Sequence, residues 1–326
     1  MEVAGLLQAS VTSTNHFSAD SYSISLATGA SLLSDILEWS TLSSGNVEIS
    51  TGLYPEPAYQ NLITGTIDNV QLDPILGTVA IEGRDLSASL VDSYRQSDFV
   101  NQTASEIVAA IANAHGLSAV VTPTSGNIGR YYGDGYTRLS TGQFTRLRSD
   151  WDLVVELARE CGFDAYVAGQ VLYFAPSATI PAVFIPITPA DVQTMRFERA
   201  LAIASGAAAR VQAWNSQAMT AYDSGASGQS STGAAGQPYL FSASNLTSAQ
   251  VEQSAARYSA EINRLQTTLL LEMPWNLALN PRTGVMLTGT GTALDGPYVV
   301  DSVERHFSTI SGSRQTVRAA SITGVI

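Results

Sequence analysis

Apolar and polar residues alternate through the first quarter of the chain. Tyr22, Ile24 and Leu26 are separated by serines, and Val47 and Ile49 repeat the spacing. A period of two sends every second side chain to one face, so each stretch predicts a half-buried β-strand. Two longer runs follow, residues 62–70 and 79–85. Asp73-Pro74 and Gly77 lie between them and suit a turn, so the pair predicts a long antiparallel hairpin. Leu32, Leu33, Ile36 and Leu37 predict a short helix or an irregular loop interrupting this sheet.

The period changes after residue 88. Thr103-Ala104-Ser105-Glu106 is a capping box, in which a hydroxyl and a carboxylate satisfy the open amides of a first helical turn. Ile107, Val108, Ile111 and Ala114 follow at helical spacing, and Gly116 supplies a stop. Ser149-Asp150-Trp151-Asp152 opens a second helix through Leu153, Val154, Leu157 and Ala158, which ends at Gly162. Residues 163–174 then read as a hairpin around Ala168-Gly169, closed by Pro176. Strand patterning returns after residue 179, with a strand over residues 209–214 and three strand-like runs between Val285 and Ile322. Thr247-Ser248-Ala249-Gln250 caps a third helix near 247–265. The stretch 224–236 is almost entirely Gly, Ser, Ala, Gln and Thr, which predicts a flexible Gly/Ser loop.

These periods divide the chain into a first β module over residues 1–88, an α+β insert over 89–178, and a second β module over 179–326. Residues 65–70 (GTIDNV) resemble residues 296–303 (GPYVVDSV). Both begin with Gly, reach Asp-x-Val and lead into a second strand. Two copies of one β module is the reading this suggests.

Composition narrows the function. The 326 residues are 45% hydrophobic but only 13% charged, about half the usual charged fraction. A surface covered by Ser, Thr, Asn, Gln and Gly suits large protein contacts, whose centres are depleted in charge. All 16 basic residues are Arg, and the net charge is −12. This acidity argues against a protein that grips nucleic acid, which needs a basic footprint. The amino terminus lacks the basic segment of a signal peptide, and no apolar run reaches bilayer-spanning length, so synthesis in the cytoplasm without membrane insertion is expected.

The chemistry is thin. The single Cys161 sits in an apolar helical stretch and reads as a small core residue. His16, His115 and His306 form no motif with metal-ligand spacing, and structural roles are expected for all three. Asp150 with Asp152, or Glu156 with Glu160, would be the carboxylate pairs of a glycosidase. The first pair lies in a helix's opening turn, where acids complement the dipole, and the second is four residues apart on a helix face. No catalytic, cofactor-binding or metal site is assigned. Trp39, Tyr54, Tyr59, Tyr131 and Tyr132 could serve a carbohydrate-binding surface, although core or subunit contact is the simpler role.

The order of these motifs resembles the phage baseplate hub family, comprising late control protein D, myophage tail hubs and the hub part of type VI secretion spike proteins. The likeness rests on Gly83-Arg84-Asp85-Leu86 with Leu90-Val91-Asp92, on residues 101–107 with His115-Gly116-Leu117, and on Trp151-Asp152-Leu153 with Gly162-Phe163. Leu172-Tyr173-Phe174-Ala175-Pro176 and residues 296–306 continue it. The resemblance implies two tube-like antiparallel β-barrel modules flanking the helix/hairpin domain. It implies a homotrimer whose six modules form a pseudo-sixfold ring between the tail tube protein and the central spike protein. A channel would be left for DNA and the tape measure protein, within a virion baseplate that includes other baseplate proteins and is assembled in the host cytoplasm. No enzymatic activity and no cofactor are implied. A tail-associated peptidoglycan hydrolase and a carbohydrate-binding tail module are the alternatives.

Overall fold

A computed structural model describes the chain except residues 1–4, 16, 29–35, 53–58, 95, 141–148, 178–180, 202–208, 225–238 and 323–326; the side chains of residues 36 and 37 are also outside it. The predicted Gly/Ser loop, His16 and Tyr54 thus fall outside the described residues, apart from Ser224.

The amino-terminal region is β1 (Leu6–Thr14), β2 (Ser21–Ala27), α1 (Ile36–Thr41), β3 (Asn46–Thr51), β4 (Gln60–Asp73) and β5 (Thr78–Asp85). Alternation decides which side is buried. Tyr22, Ile24 and Leu26 point inward with Val11, Val79 and Ile81, and the serines between them face outward.

The insert runs through α2 (Ala88–Val91), β6 (Asp98–Val100), α3 (Ala104–Ala114), β7 (Ser118–Val121), β8 (Arg130–Tyr131), β9 (Thr137–Ser140), α4 (Asp150–Cys161), β10 (Phe163–Ala168) and β11 (Val171–Pro176). Both predicted capping boxes form, at Thr103/Glu106 and Ser149/Asp152. Gly162 ends α4 in the left-handed region at φ 72°, which a residue without Cβ adopts cheaply. α3 and α4 lay their apolar stripes on β7, β10 and β11, enclosing Ile107, Leu153, Leu157, Leu172 and Phe174 in a core of their own.

The last region comprises β12 (Phe184–Ile187), β13 (Thr194–Arg199), β14 (Ala209–Asn215), β15 (Thr220–Asp223), β16 (Tyr239–Ser244), α5 (Ser248–Arg264), β17 (Thr267–Met273), β18 (Gly284–Leu287), β19 (Gly296–Ser308) and β20 (Gly312–Ser321). β14, β15 and β16 form a separate sheet covered by α5, with Val211, Ala213, Val251 and Ala255 between them. β14 matches the strand expected over residues 209–214, whereas β15 and β16 are not legible in the sequence pattern, because they are short and β16 exposes apolar residues at Tyr239 and Leu240.

The fold is therefore mainly β with an α+β insert. Among the described residues, eleven strands form one sheet. Within it the order β1-β2-β5-β4-β3 is matched by β13-β17-β20-β19-β18. The match extends to single residues. β4 slips register against β5 between Ile67 and Asn69, and β19 slips against β20 between Val300 and Ser302. The extra residue in each bulge is an aspartate, and each aspartate meets an arginine: Asp68 with Arg84 at 2.6 Å, Asp301 with Arg264 at 3.1 Å. Counting outward from the bulges, Tyr22, Ile24 and Leu26 correspond to Leu269, Leu271 and Met273, and all six are buried. The short likeness between residues 65–70 and 296–303 marks the same bulged strand in both units.

The two units keep separate apolar clusters but share the sheet, because β1 pairs with the far half of β19 from Gln8↔Ser308 to Thr14↔Ser302. Below this seam Arg305 is buried, donating to the Leu279 carbonyl and to Asn280 Oδ1. Burial pulls its pKa down to about 10. It takes the place that Leu72 holds in the first unit, and it anchors the loop before β18.

Gly83 lies beside the first bulge, under the Tyr22 ring. A Cβ there would be driven into the Thr66 carbonyl and the Tyr22 hydroxyl, whose own hydrogen bond goes to that carbonyl at 2.9 Å. Gly83→Ala is expected to cost about 1–3 kcal/mol by overpacking. Urea unfolding would show this as a lowered midpoint with an unchanged slope.

Candidate functional site

The predicted chemistry-bearing residues do not converge. His115 Nε2 lies 2.8 Å from Asp150 Oδ2, and Ser93 Oγ donates to the same oxygen at 3.1 Å. Asp150 is thus part of the packing between α3 and α4, not a partner of Asp152, which accepts from the Ser149 amide at 3.0 Å. Glu160 is solvent-exposed, with Glu156 and Arg257 as charged neighbours. Burial pushes the Cys161 thiol up to about 11, which makes it a poor nucleophile near neutral pH. Trp39 packs on the first β cluster and Tyr131 belongs to β8, while Tyr132 stacks on Tyr136 and Tyr59 stands exposed; these aromatics form no common surface.

The motifs that carry the family likeness are structural. Arg84 bridges Asp68 in the bulge and Asp92 at the end of α2. Trp151 Nε1 donates to the Phe17 carbonyl at 2.7 Å, tying α4 to the turn between β1 and β2. Asp85 accepts from the Ser87 amide at 3.1 Å and from the Ser87 hydroxyl, and so shapes the turn into α2.

A cleft of about 460 Å³ opens where the first β unit, the insert and the loop before β18 meet. Asp20, Asp85, Tyr166, Trp151, Asn280 and Arg282 line it. Arg282 sits 3.8 Å above the Tyr166 ring and 3.3 Å from Asp164. Burial pushes Asp20 up to about 6 and Asp85 up to about 7, and the charge of Asp20 adds to the latter shift. Asp20 accepts the Thr14 amide at 2.9 Å, so both carboxyl groups are committed to backbone turns. No cluster of metal-ligating side chains occurs among the described residues. Sequence inspection misses this pair, because Asp20 and Asp85 lie far apart in the chain and neither belongs to a paired-acid motif.

Because both folded-state pKa values are raised, the folded chain holds these protons where the unfolded chain has lost them. Their contribution to stability is full below the ordinary carboxylate range and is lost as pH rises through about 6 and 7. Asp85→Asn keeps an acceptor for Ser87 and carries no charge. Thermal melts should show a gain over the parent protein that is larger at pH 8 than at pH 5.

A more extensive feature is the outward face of the large sheet. On the first unit, Ser10, Thr12, Ser21, Ser23, Asn69 and Glu82 line a concave polar surface. On the second unit that face carries Arg196, Glu198, Glu272, Glu304, Arg314 and Arg318, placed there by their register. Signs are mixed, so the acidic excess of the chain does not gather on this face. Several edges are open among the described residues: β13 pairs only with β17, β4 beyond Asp68 only with β5, β3 only with β4 and β12 only with β18. The tips of the two equivalent hairpins, β4–β5 and β19–β20, expose Leu76 and Ile310.

No family model matches the sequence, and no curated protein matches it. Solved structures do share the fold. A tail protein from Neisseria meningitidis superposes with a TM-score of 0.69 at 14% identity, over 97% of this chain and 92% of that one. The 43 kDa tail protein of prophage MuSo2 from Shewanella oneidensis gives 0.66 at 15% identity, over 98% and 95%. An Escherichia coli component of the type VI secretion system, described as structurally similar to the phage T4 tail proteins gp27 and gp5, gives 0.60 at 13% identity, over 97% and 73%. At these identities the likeness is one of fold.

Proposed function

We propose that this chain is a structural, non-enzymatic hub subunit of a contractile phage tail baseplate or a related tail-like particle. Three copies form a ring that joins the sixfold tail tube to a threefold central spike and leaves a channel for DNA and the tape measure protein. The observation that carries this reading is the duplicated five-stranded unit, matched to the bulge, in a chain whose fold is that of tail proteins. Three chains with two equivalent units each supply six equivalent positions, so a threefold assembly can meet a sixfold partner.

In this reading the polar outward face lines the channel. Hydroxyls, amides and charges of both signs offer no continuous basic track for DNA to bind. The equivalent hairpin tips lie at one end of the ring and present Leu76 and Ile310 alternately. Six such apolar contacts suit the tail tube, the partner with matching symmetry.

The purified protein, alone and co-expressed with its genomic neighbours, is expected to run at three times its 34.4 kDa mass in light scattering, at least when a spike partner is present. A stable monomer under both conditions would sink the ring. The double variant Leu76→Asp/Ile310→Asp should leave that trimer intact but abolish co-purification with the tube protein. Undiminished tube binding would move the contact elsewhere.

A further inference from the structure

One junction between the two units is made within the chain, and its symmetry mate is left open. The first strand of unit one, β1, pairs with the far half of the fourth strand of unit two, β19. The corresponding elements are the first strand of unit two, β13, and the far half of the fourth strand of unit one, β4. Both are strand edges without a partner among the described residues. Within one chain they lie at opposite ends of the strand order and do not pair with each other.

We infer that β13 of one copy pairs antiparallel with β4 of the next, in the register that β1 and β19 already use. This rests on the ring proposed above and names the contact that closes it. The occupant of each open edge is a second copy of this chain, because each copy carries the counterpart of the strand that fills the equivalent edge within the chain.

The register follows from the pairings. Val11 lies opposite Tyr22 and Phe197 lies opposite Leu269, and Tyr22 and Leu269 are equivalent, so Phe197 corresponds to Val11. Val11 faces Arg305 across the internal seam, and Arg305 is two residues beyond Val303. The residue two beyond the equivalent Val70 is Leu72. Phe197 therefore faces Leu72, Arg196 faces Asp73, and Glu198 faces Gln71.

The chemistry of those pairs agrees with this register. Phe197 packs on the apolar cluster of the second unit and Leu72 on that of the first, so pairing them makes the apolar side continuous. Exposed Arg196 meets the carboxylate of Asp73 on the polar side. A slip of one residue would set Phe197 against Asp73 or Gln71 and invert every side chain of the strand. An open strand edge is an unstable surface for an isolated chain, and capture by a neighbour satisfies its amides and carbonyls. In the ring, three such junctions between copies alternate with three made within chains.

The test uses the full chain in a Cys161→Ser background, co-expressed with its neighbours. Glu198→Cys/Gln71→Cys should cross-link on oxidation, or with a short bismaleimide, into a covalent trimer. The shifted pair Glu198→Cys/Asp73→Cys should link several-fold less. Arg196→Asp and Asp73→Arg should each weaken trimer assembly by about fivefold per interface, and the double exchange should restore it. A trimer that forms without the 198–71 link, that links better at 198–73, or that ignores both charge reversals overturns this register and leaves the ring standing. A monomer under all conditions overturns the ring itself, and this contact with it.

Discussion

The constraint on which the structure turns is that a β-strand has two edges and each must be satisfied. Backbone amides and carbonyls along an edge lose free energy if they are buried without partners, and invite association if they are left exposed. This chain joins its two five-stranded units edge to edge through β1 and β19, so that among the described residues eleven strands form one sheet over two separate apolar clusters. That solution meets half of the demand. Among the described residues, the edges that correspond to this seam, at β13 and the far half of β4, stay open, as do the outer edges of β3 and β12.

The bulges make this arrangement possible. An extra residue bends and twists a strand, which lets one half of β19 pair with β18 and the other half with β1. Asp301 and Asp68 occupy the same point in the two units, and each is held by an arginine from a different neighbour: Arg264 at the end of α5, Arg84 on β5. Arg84 also reaches Asp92, so the first bulge is coupled to the start of the insert. The arginines therefore serve geometry, in line with the planar, multidentate contacts that lysine does not supply.

The insert contributes rigidity where the units meet. Its helices are closed by capping boxes, its core is independent, and Trp151 and Arg282 tie it to the turn after β1 and to the loop before β18. The acidic pair Asp20 and Asp85 lies in that junction. Its raised pKa values express the cost of burying carboxylates beside one another, and their hydrogen bonds are spent on turns. A cleft with two such acids resembles a hydrolytic site in outline, yet each group is already occupied by backbone.

Much of the local structure is legible in the sequence, because local physics decides it. The alternation at Tyr22, Ile24 and Leu26, the hairpin around Asp73-Pro74, the capping boxes at Thr103 and Ser149 and the stop at Gly162 each act over a few residues. The Asp-x-Val likeness between residues 65–70 and 296–303 exposes the repeated strand for the same reason: a bulge leaves a mark in adjacent residues. What the sequence does not disclose is which edges meet. The β1–β19 seam joins residues almost 300 apart, the Asp20–Asp85 junction joins turns from different hairpins, and β16 finds β14 without a period of its own. Hydrogen bonding along a strand edge is nearly independent of side-chain identity, so no residue announces its partner. Only the packed structure, by bringing equivalent edges into view, decides which of them is satisfied within the chain and which stays open among the described residues.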